Sequence, residues 1–441
     1  MGVAVADVYG VADSLSIRSW IGSRYSLEAN RQQGITITES RVLSVGMKRR
    51  VYLTTAAAAM VAGCSALSDS ETSDEDGNGD EDAVDEELGS FDEFEDLSQW
   101  TVMEGSLTAD EEQTYVGSQS ARMEAAEGDG RIMIKREFDT PRDLSNGYPA
   151  IAFASDHTVN PTVQLTDTDG DRLLLKCAVN ADGPFVHRDL GIVERVGEPD
   201  LSSVEHTKIS VWAGDRELSL WCDDYRLVGR PDTGRVLLQF PGGHETVASE
   251  AASILAEHDY PATVFVNTDY VDGEDRLSVD DLESLQDDGW TIASQSANNA
   301  SLIDQDAAGQ EDQISSAVSW LDDHGFDSAY FSYPLDGYDE SALELVDEYH
   351  DLGFVGGFAG HGYLTNAALA PQAATPDADE VTTLLDLTAE YNTITSLSYG
   401  TLEGSTLTAF EAAVSKISEL ESEGELEVVS PSDVASDNIA E

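Results

Sequence analysis

The segment Arg235-Val236-Leu237-Leu238-Gln239-Phe240-Pro241-Gly242-Gly243-His244-Glu245-Thr246 decides the fold of this chain. Val236, Leu237, Leu238 and Phe240 form an apolar run, as expected of a buried strand. Pro241 and two glycines end it in a turn. Glu245 falls in the first turn of the next helix, where negative charge suits the macrodipole, and Thr246 is placed to cap. From Thr233 onward strand and helix patterns alternate, which implies parallel strands. The expected strands are 235–240, 262–266, 290–294, 328–333, 354–358, 393–399 and 425–430. Between them, Val247, Ala251, Ile254 and Leu255 share one helical face. So do Ile314, Ala317, Val318 and Leu321, and later Phe410, Ala413, Val414, Ile417 and Leu420.

In position and flanks, Gln239-Phe240-Pro241-Gly242-Gly243 resembles the first motif of the polysaccharide deacetylase family, Thr-Phe-Asp-Asp-Gly, with both aspartates replaced. Ala251 to Val266, ending Pro261-Ala262-Thr263-Val264-Phe265-Val266, resembles that family's first helix and next strand. Leu282, Leu285, Gly289, Trp290, Ile292, Ala293 and Ser294 resemble the segment before its histidine motif. Where the family has two histidines, this chain reads Gln295-Ser296-Ala297-Asn298-Asn299. Tyr330 to Tyr338 resembles the Arg-x-Pro-x-Gly motif, with Ser332 in place of arginine. The resemblance covers roughly Arg235 to Val434 and implies a distorted (β/α)7 barrel. In such barrels sites form at the C-terminal strand ends, so the altered positions are expected to share one mouth.

The resemblance also implies a divalent metal such as zinc, held by one aspartate and two histidines, with a second aspartate as base and a late histidine as acid. Such a metal lowers its water's pKa only when anionic or imidazole ligands hold it. Pro241 and Gly242 offer no side-chain donor, and Gln295 and Asn299 offer only neutral amides. Near the late histidine's expected place stand Ser398 and Tyr399. No catalytic residue and no metal ligand is therefore assigned. His244, Glu245, Asn298, Tyr333, Asp336 and Tyr399 are the candidate cleft-lining residues. A rebuilt metal site drawing on His244, Glu245, Asp336 or His361 is the competing arrangement.

The 441 residues allow two or three domains. The chain carries 23 Lys+Arg against 86 Asp+Glu, a formal net charge of −63. With 41% hydrophobic residues and periodic segments, this acidity belongs to folded domains rather than to disorder. An acidic, lysine-poor surface suits a high-salt medium that screens repulsion. The same charge argues against nucleic acid or anionic lipid as partners.

Met47-Lys48-Arg49-Arg50 followed by Val51 to Gly63 has the form of an export signal with twin arginines. Val61-Ala62-Gly63-Cys64 resembles a lipobox, with Cys64 the lipidated residue. The apolar run is too short to span a bilayer. Residues 1–46 are read as a spurious extension, 47–64 as the signal, and 65–90 as an acidic solvated tether. The expected location is the outer face of the cytoplasmic membrane, with the N-terminal lipid as the sole membrane attachment.

Residues 91–230 read as all-β, with short apolar runs at 132–134, 150–153, 162–165, 173–175, 209–212 and 218–221. Asp169-Gly170 marks a hairpin, and Asp167, Asp169 and Asp171 are weighed there as calcium ligands. Phe94 to Trp100 with Gly117 to Arg122 resembles the opening of jelly-roll carbohydrate-binding modules. At least one of Trp212 and Trp221 is expected in the core. An exported chain permits a Cys177–Cys222 disulfide, and the sequence leaves bridge and free thiols open.

The domain plan is thus a jelly-roll-like sandwich at 91–230 followed by a deacetylase-like barrel at 233–434. Two functions compete. One is a surface-anchored, catalytically degenerate relative that binds a glycan or cell-surface polysaccharide. The other is an active hydrolase removing N-acetyl groups with replacement residues.

Overall fold

The computed structural model describes residues 84–85 and 88–440. Cys64, the signal, the extension 1–46 and most of the acidic tract lie outside the described residues. The described strands begin at residue 84. β1 (Val84–Asp85) runs parallel to a later strand, and β2 (Gly89–Asp92) follows it.

The first half continues with β3 (Thr101–Glu104), β4 (Ser106–Asp110), β5 (Ser120–Ala125), β6 (Gly130–Asp143) and β7 (Tyr148–Ser155). Then come β8 (Thr162–Asp167), β9 (Arg172–Lys176), β10 (Val186–Asp189), β11 (Gly191–Val196), β12 (Val204–Gly214) and β13 (Leu218–Val228). They form two largely antiparallel sheets. One has the order β1-β6-β12-β8-β9-β11 with β3 also on β6; the other has β10-β7-β13-β5-β4 with β2 also on β13. Ile132, Ile134, Val163 and Leu173 of the first sheet share a core with Met123, Phe153 and Leu220 of the second. Every expected apolar run lies in one of these strands.

The Asp169-Gly170 hairpin joins β8 to β9, and Gly170 has φ +89°, a conformation that favours glycine. Two of its three aspartates are engaged by the backbone. Asp167 accepts N–H groups from Asp169, Asp171 and Asp200, and Asp171 accepts that of Glu198. Cys177 and Cys222 are buried free thiols, not a bridge. Neither expected tryptophan enters the core. Trp212 is 71% exposed, and half-buried Trp221 donates its indole N–H to Asp110.

The second half is a ring of parallel strands. β14 (Gly234–Pro241), β15 (Thr263–Val266), β16 (Thr291–Ser294), β17 (Tyr330–Ser332), β18 (Leu352–Gly356), β19 (Ala370–Ala374) and β20 (Ile394–Ser398) pair in sequence order. The ring closes because β14 pairs with β20 through Arg235 to Gln239 and with β15 through Gln239 to Pro241. β21 (Leu426–Val428) lies outside the ring, against the first residues of β14. The expected count of seven therefore holds with a different member: β19 was unforeseen, and 425–430 is not a stave. Leu237, Phe265, Ala293, Phe354 and Ile394 pack as one cluster inside the ring. Their alternates Val236, Leu238, Phe240, Val264 and Ile292 pack outward with Val247, Ala251, Leu255, Phe410 and Ile417 of the helical layer.

The two halves are joined by buried contacts. Tyr148 donates its hydroxyl to Tyr391 O at 2.7 Å, and Arg230 Nη1 reaches the same oxygen at 3.0 Å. Asp189 Oδ1 accepts the backbone N–H and hydroxyl of Thr365 at 3.0 and 2.7 Å. Burial pushes the Asp189 carboxyl up to about 6 in spite of those bonds. A carboxyl raised in the fold stabilises most when protonated, and that contribution fades as pH rises through the folded value. The Asp189→Asn variant should therefore gain up to about 3 kcal/mol relative to the parent between pH 4 and pH 7. Paired denaturant titrations at fixed salt read this, and parallel pH curves for both proteins would refute it.

Candidate functional site: the mouth of the barrel

The C-terminal end of β14 sets the mouth. Beyond Pro241 the chain enters the left-handed region at Gly242 (φ +91°) and Gly243 (φ +58°), and Gly242 N–H donates to Phe265 O at 2.8 Å. A Cβ added at Gly242 would lie 3.4 Å from Arg276 Nη1 and 3.9 Å from Gln295 Oε1. Gly242 and Gln295 thus converge, as expected. The surprise is the third party. Arg276 donates Nη1 to Gly242 O at 2.7 Å and sits 5.7 Å from the centre of the Tyr270 ring.

Arg276 is missing from the sequence reading, though a signal for it existed. Residues 233–441 contain only three Lys or Arg: Arg235, Arg276 and Lys416. Arg235 pairs with Glu427 and Lys416 with Asp386. Among the described residues no carboxylate pairs with Arg276. The one cation of this half left without an anion is the one at the mouth.

Below it, the inward positions nearest the C-terminal strand ends are polar. Gln239 on β14 is fully buried, and neither its amide oxygen nor its nitrogen has a hydrogen-bond partner. Gln372 on β19 is 4% exposed; its Nε2 approaches Ser332 Oγ at 3.5 Å while its Oε1 is unpartnered. Gln295 Oε1 is likewise buried and unpartnered, although its backbone is fixed by Val266 O and by Asn267 Nδ2. Ser398 stands opposite Gln239 in the β14–β20 ladder. Unpaired buried amides are costly, so several of them facing one lumen suit a polar guest.

The remaining candidates disperse. Asn299 is exposed on the loop after β16 and is not within 4 Å of the Gly242 Cβ position. Asn298 turns inward on its own loop, its Oδ1 accepting Ala300 N–H. His244 Nδ1 accepts from the backbone N–H and hydroxyl of Thr246, and that hydroxyl accepts Leu402 N–H instead of capping a helix. Glu245 is exposed. Tyr333 and Tyr399 do not line the cleft. Tyr333 packs against Phe331 and Tyr338, and Tyr399 against Phe410 in the outer layer, because residues one step beyond the inward positions face the helices. Asp336 accepts Gly356 N–H at 2.6 Å and faces a cavity of about 50 Å³ between the halves, lined also by Arg188 and Asp189. His361 is fully buried near the N-terminal end of β20 with Nδ1 against Gly362 O, and burial holds it down at about 4. His244, Glu245, Asp336 and His361 therefore do not assemble. Among the described residues no group of three His, Cys, Asp or Glu could hold a metal. The donors at the mouth do not fit the zinc-like ion that the resemblance implies.

A closed ring of seven parallel strands with its loops gathered over one end defines a barrel of the deacetylase type. Residues 229–354 match the model of the polysaccharide deacetylase family. Comparison with curated proteins gave no match. Three solved structures resemble the fold. A Streptococcus pyogenes deacetylase determined with acetate is 17% identical, with 31% of this chain and 62% of that one covered at a TM-score of 0.29. A family 4 carbohydrate esterase from Streptomyces lividans, also with acetate, is 13% identical, with 47% and 97% covered at 0.36. A family 4 pseudoenzyme from Bacillus anthracis is 15% identical, with 47% and 67% covered at 0.35.

The neighbourhood of Gly242 makes a restoring mutation instructive. In Gly242→Asp the new carboxylate would meet Arg276 first and pair with it, while the positive φ strains any side chain. Such a variant should gain no zinc by elemental analysis and should lose about 1 kcal/mol or more of stability. Stoichiometric zinc in it would show that Arg276 yields to a metal.

Proposed function

We propose that the chain is a surface-anchored, catalytically degenerate relative of the polysaccharide deacetylases that binds glycan. The observation that carries this reading is the chemistry of the mouth. Position 242, where the resemblance implies an aspartate, is glycine beside a guanidinium, and the groups around it are neutral amides and hydroxyls. Hydrolysis needs an activated water, a base and an acid in one cleft. Glutamine and serine supply none of these at neutral pH, yet they are both donors and acceptors, as sugar hydroxyls and N-acetyl groups require. The two antiparallel sheets upstream suit a jelly-roll-like carbohydrate-binding module, and the acidic surface suits a high-salt exterior.

With N-acetylglucosamine oligomers, calorimetry in high salt should detect binding while acetate release stays at background. Replacing Gln239 and Gln295 by leucine should weaken that binding by about thirtyfold, since each lost hydrogen bond is worth about 1 kcal/mol. Acetate release that a chelator abolishes and zinc restores would instead establish an active hydrolase.

Anchoring rests on the order signal, Cys64, acidic tract. The Cys64→Ser protein should leave the membrane fraction and appear in the medium. Unchanged fractionation would end the lipoprotein reading.

A further inference from the structure

The outward face of the β1-β6-β12-β8-β9-β11 sheet concentrates cations in a chain that has few. Side chains alternate across a strand. With Ile209 and Val211 buried, β12 turns Lys208, Ser210 and Trp212 outward. By the same alternation β6 presents Arg131 and Lys135, and β9 presents Arg172 and Lys176. Three of the chain's five lysines therefore share one sheet face.

Their arrangement runs against stability. Lys208 stands directly opposite Lys135 in the β6–β12 ladder, and like charges so placed repel. The chain has 86 carboxylates with which to neutralise them. It does so only in part: Arg131 pairs with Glu104 and Lys135 with Glu137. Lys208, Arg172 and Lys176 have no carboxylate partner among the described residues. Burial, and then Lys135, Arg172 and Arg131, hold the Lys208 amine below its ordinary value. On the other side of Lys208 lies Gln164, and Ser210 lies opposite Thr162, so neutral hydrogen-bonding groups are set among the charges. At the end of the β12 row, opposite Arg131, Trp212 is 71% exposed. An indole there offers a flat apolar surface beside its N–H.

We propose that this face binds an anionic glycan, a polysaccharide whose sugars carry carboxylates. Cations pair with the carboxylates, Gln164 and Ser210 meet hydroxyls, and Trp212 stacks on a ring. Five cations on a chain of net charge −63 are too few to hold a long polyphosphate, whose affinity is set by the number of phosphates neutralised. The site is separate from the barrel mouth and stands whether or not the mouth binds sugar.

Calorimetry of the full chain at fixed salt, with a galacturonate oligomer and with its methyl ester, isolates the carboxylate charge. The acid form should bind, and the ester should bind at least about tenfold more weakly. The double variant Lys208→Gln, Arg172→Gln should lose about tenfold, since each exposed ion pair contributes up to about 1 kcal/mol. Trp212→Ala should lose a similar factor, and affinity should fall as salt rises. Circular dichroism of the variants should match the parent, because all three side chains lie on the outward face of the sheet and none is in its core. Equal binding of acid and ester, or an unaffected double variant, would overturn the proposal. So would tighter binding of a single-stranded oligonucleotide, or of a peptide copying residues 65–83, which would assign the face to nucleic acid or to the chain's own acidic segment.

Discussion

The double pairing of β14 is the constraint on which the barrel depends. Its first half bonds to β20 on one side and β21 on the other, and its last residues shift partners to β15. Without that shift the seven staves would leave an open sheet with two unpaired edges. The glycines at 242 and 243 follow the closing contact directly, so the loop over the lumen is set where the ring is sealed. Gln239 is the residue at which both ladders meet, paired with Thr263 and with Ser398. A polar side chain at the most constrained point of the ring is held rigidly in the lumen, which favours preorganised hydrogen bonding.

The acidic composition acts on the rest of the molecule as a background field. Where carboxylates outnumber Lys and Arg 86 to 23, an arginine or lysine without a counter-ion is notable, since partners are plentiful. The chain pairs Arg136 with Asp92, Arg195 with Glu198 and Glu390, and Arg235 with Glu427. Arg276, Lys208, Arg172 and Lys176 are among the described residues without one. These exceptions lie where the inward or outward faces of strands already carry polar groups suited to a ligand.

The sequence made six of the seven staves legible because Val, Ile, Leu and Phe runs stood between turn residues. It hid β19, whose Ala370-Pro371-Gln372-Ala373-Ala374 has neither bulk nor β-branching and carries a proline. That segment becomes a strand because the ring supplies partners on both sides, a non-local effect that no local pattern reports. The convergence of Gly242 with Gln295 was legible from position at strand ends. The exclusion of Tyr333 and Tyr399 was not, since a residue one step past a strand changes face. Arg276 escaped because it lies in a loop of no motif, and only a census of the half's cations draws attention to it. Trp212 misled through its alternation with aliphatics: its period was read correctly, but its face was the wet one.

The guanidinium beside Gly242 has a consequence for how the mouth meets its surroundings. A bound ion obeys mass action: it is lost on dilution, captured by competing ligands and replaced by commoner ions. A charge joined to the backbone through Arg276 has no dissociation constant. The electrostatics of this cleft are thus written into the covalent chain rather than borrowed from solution.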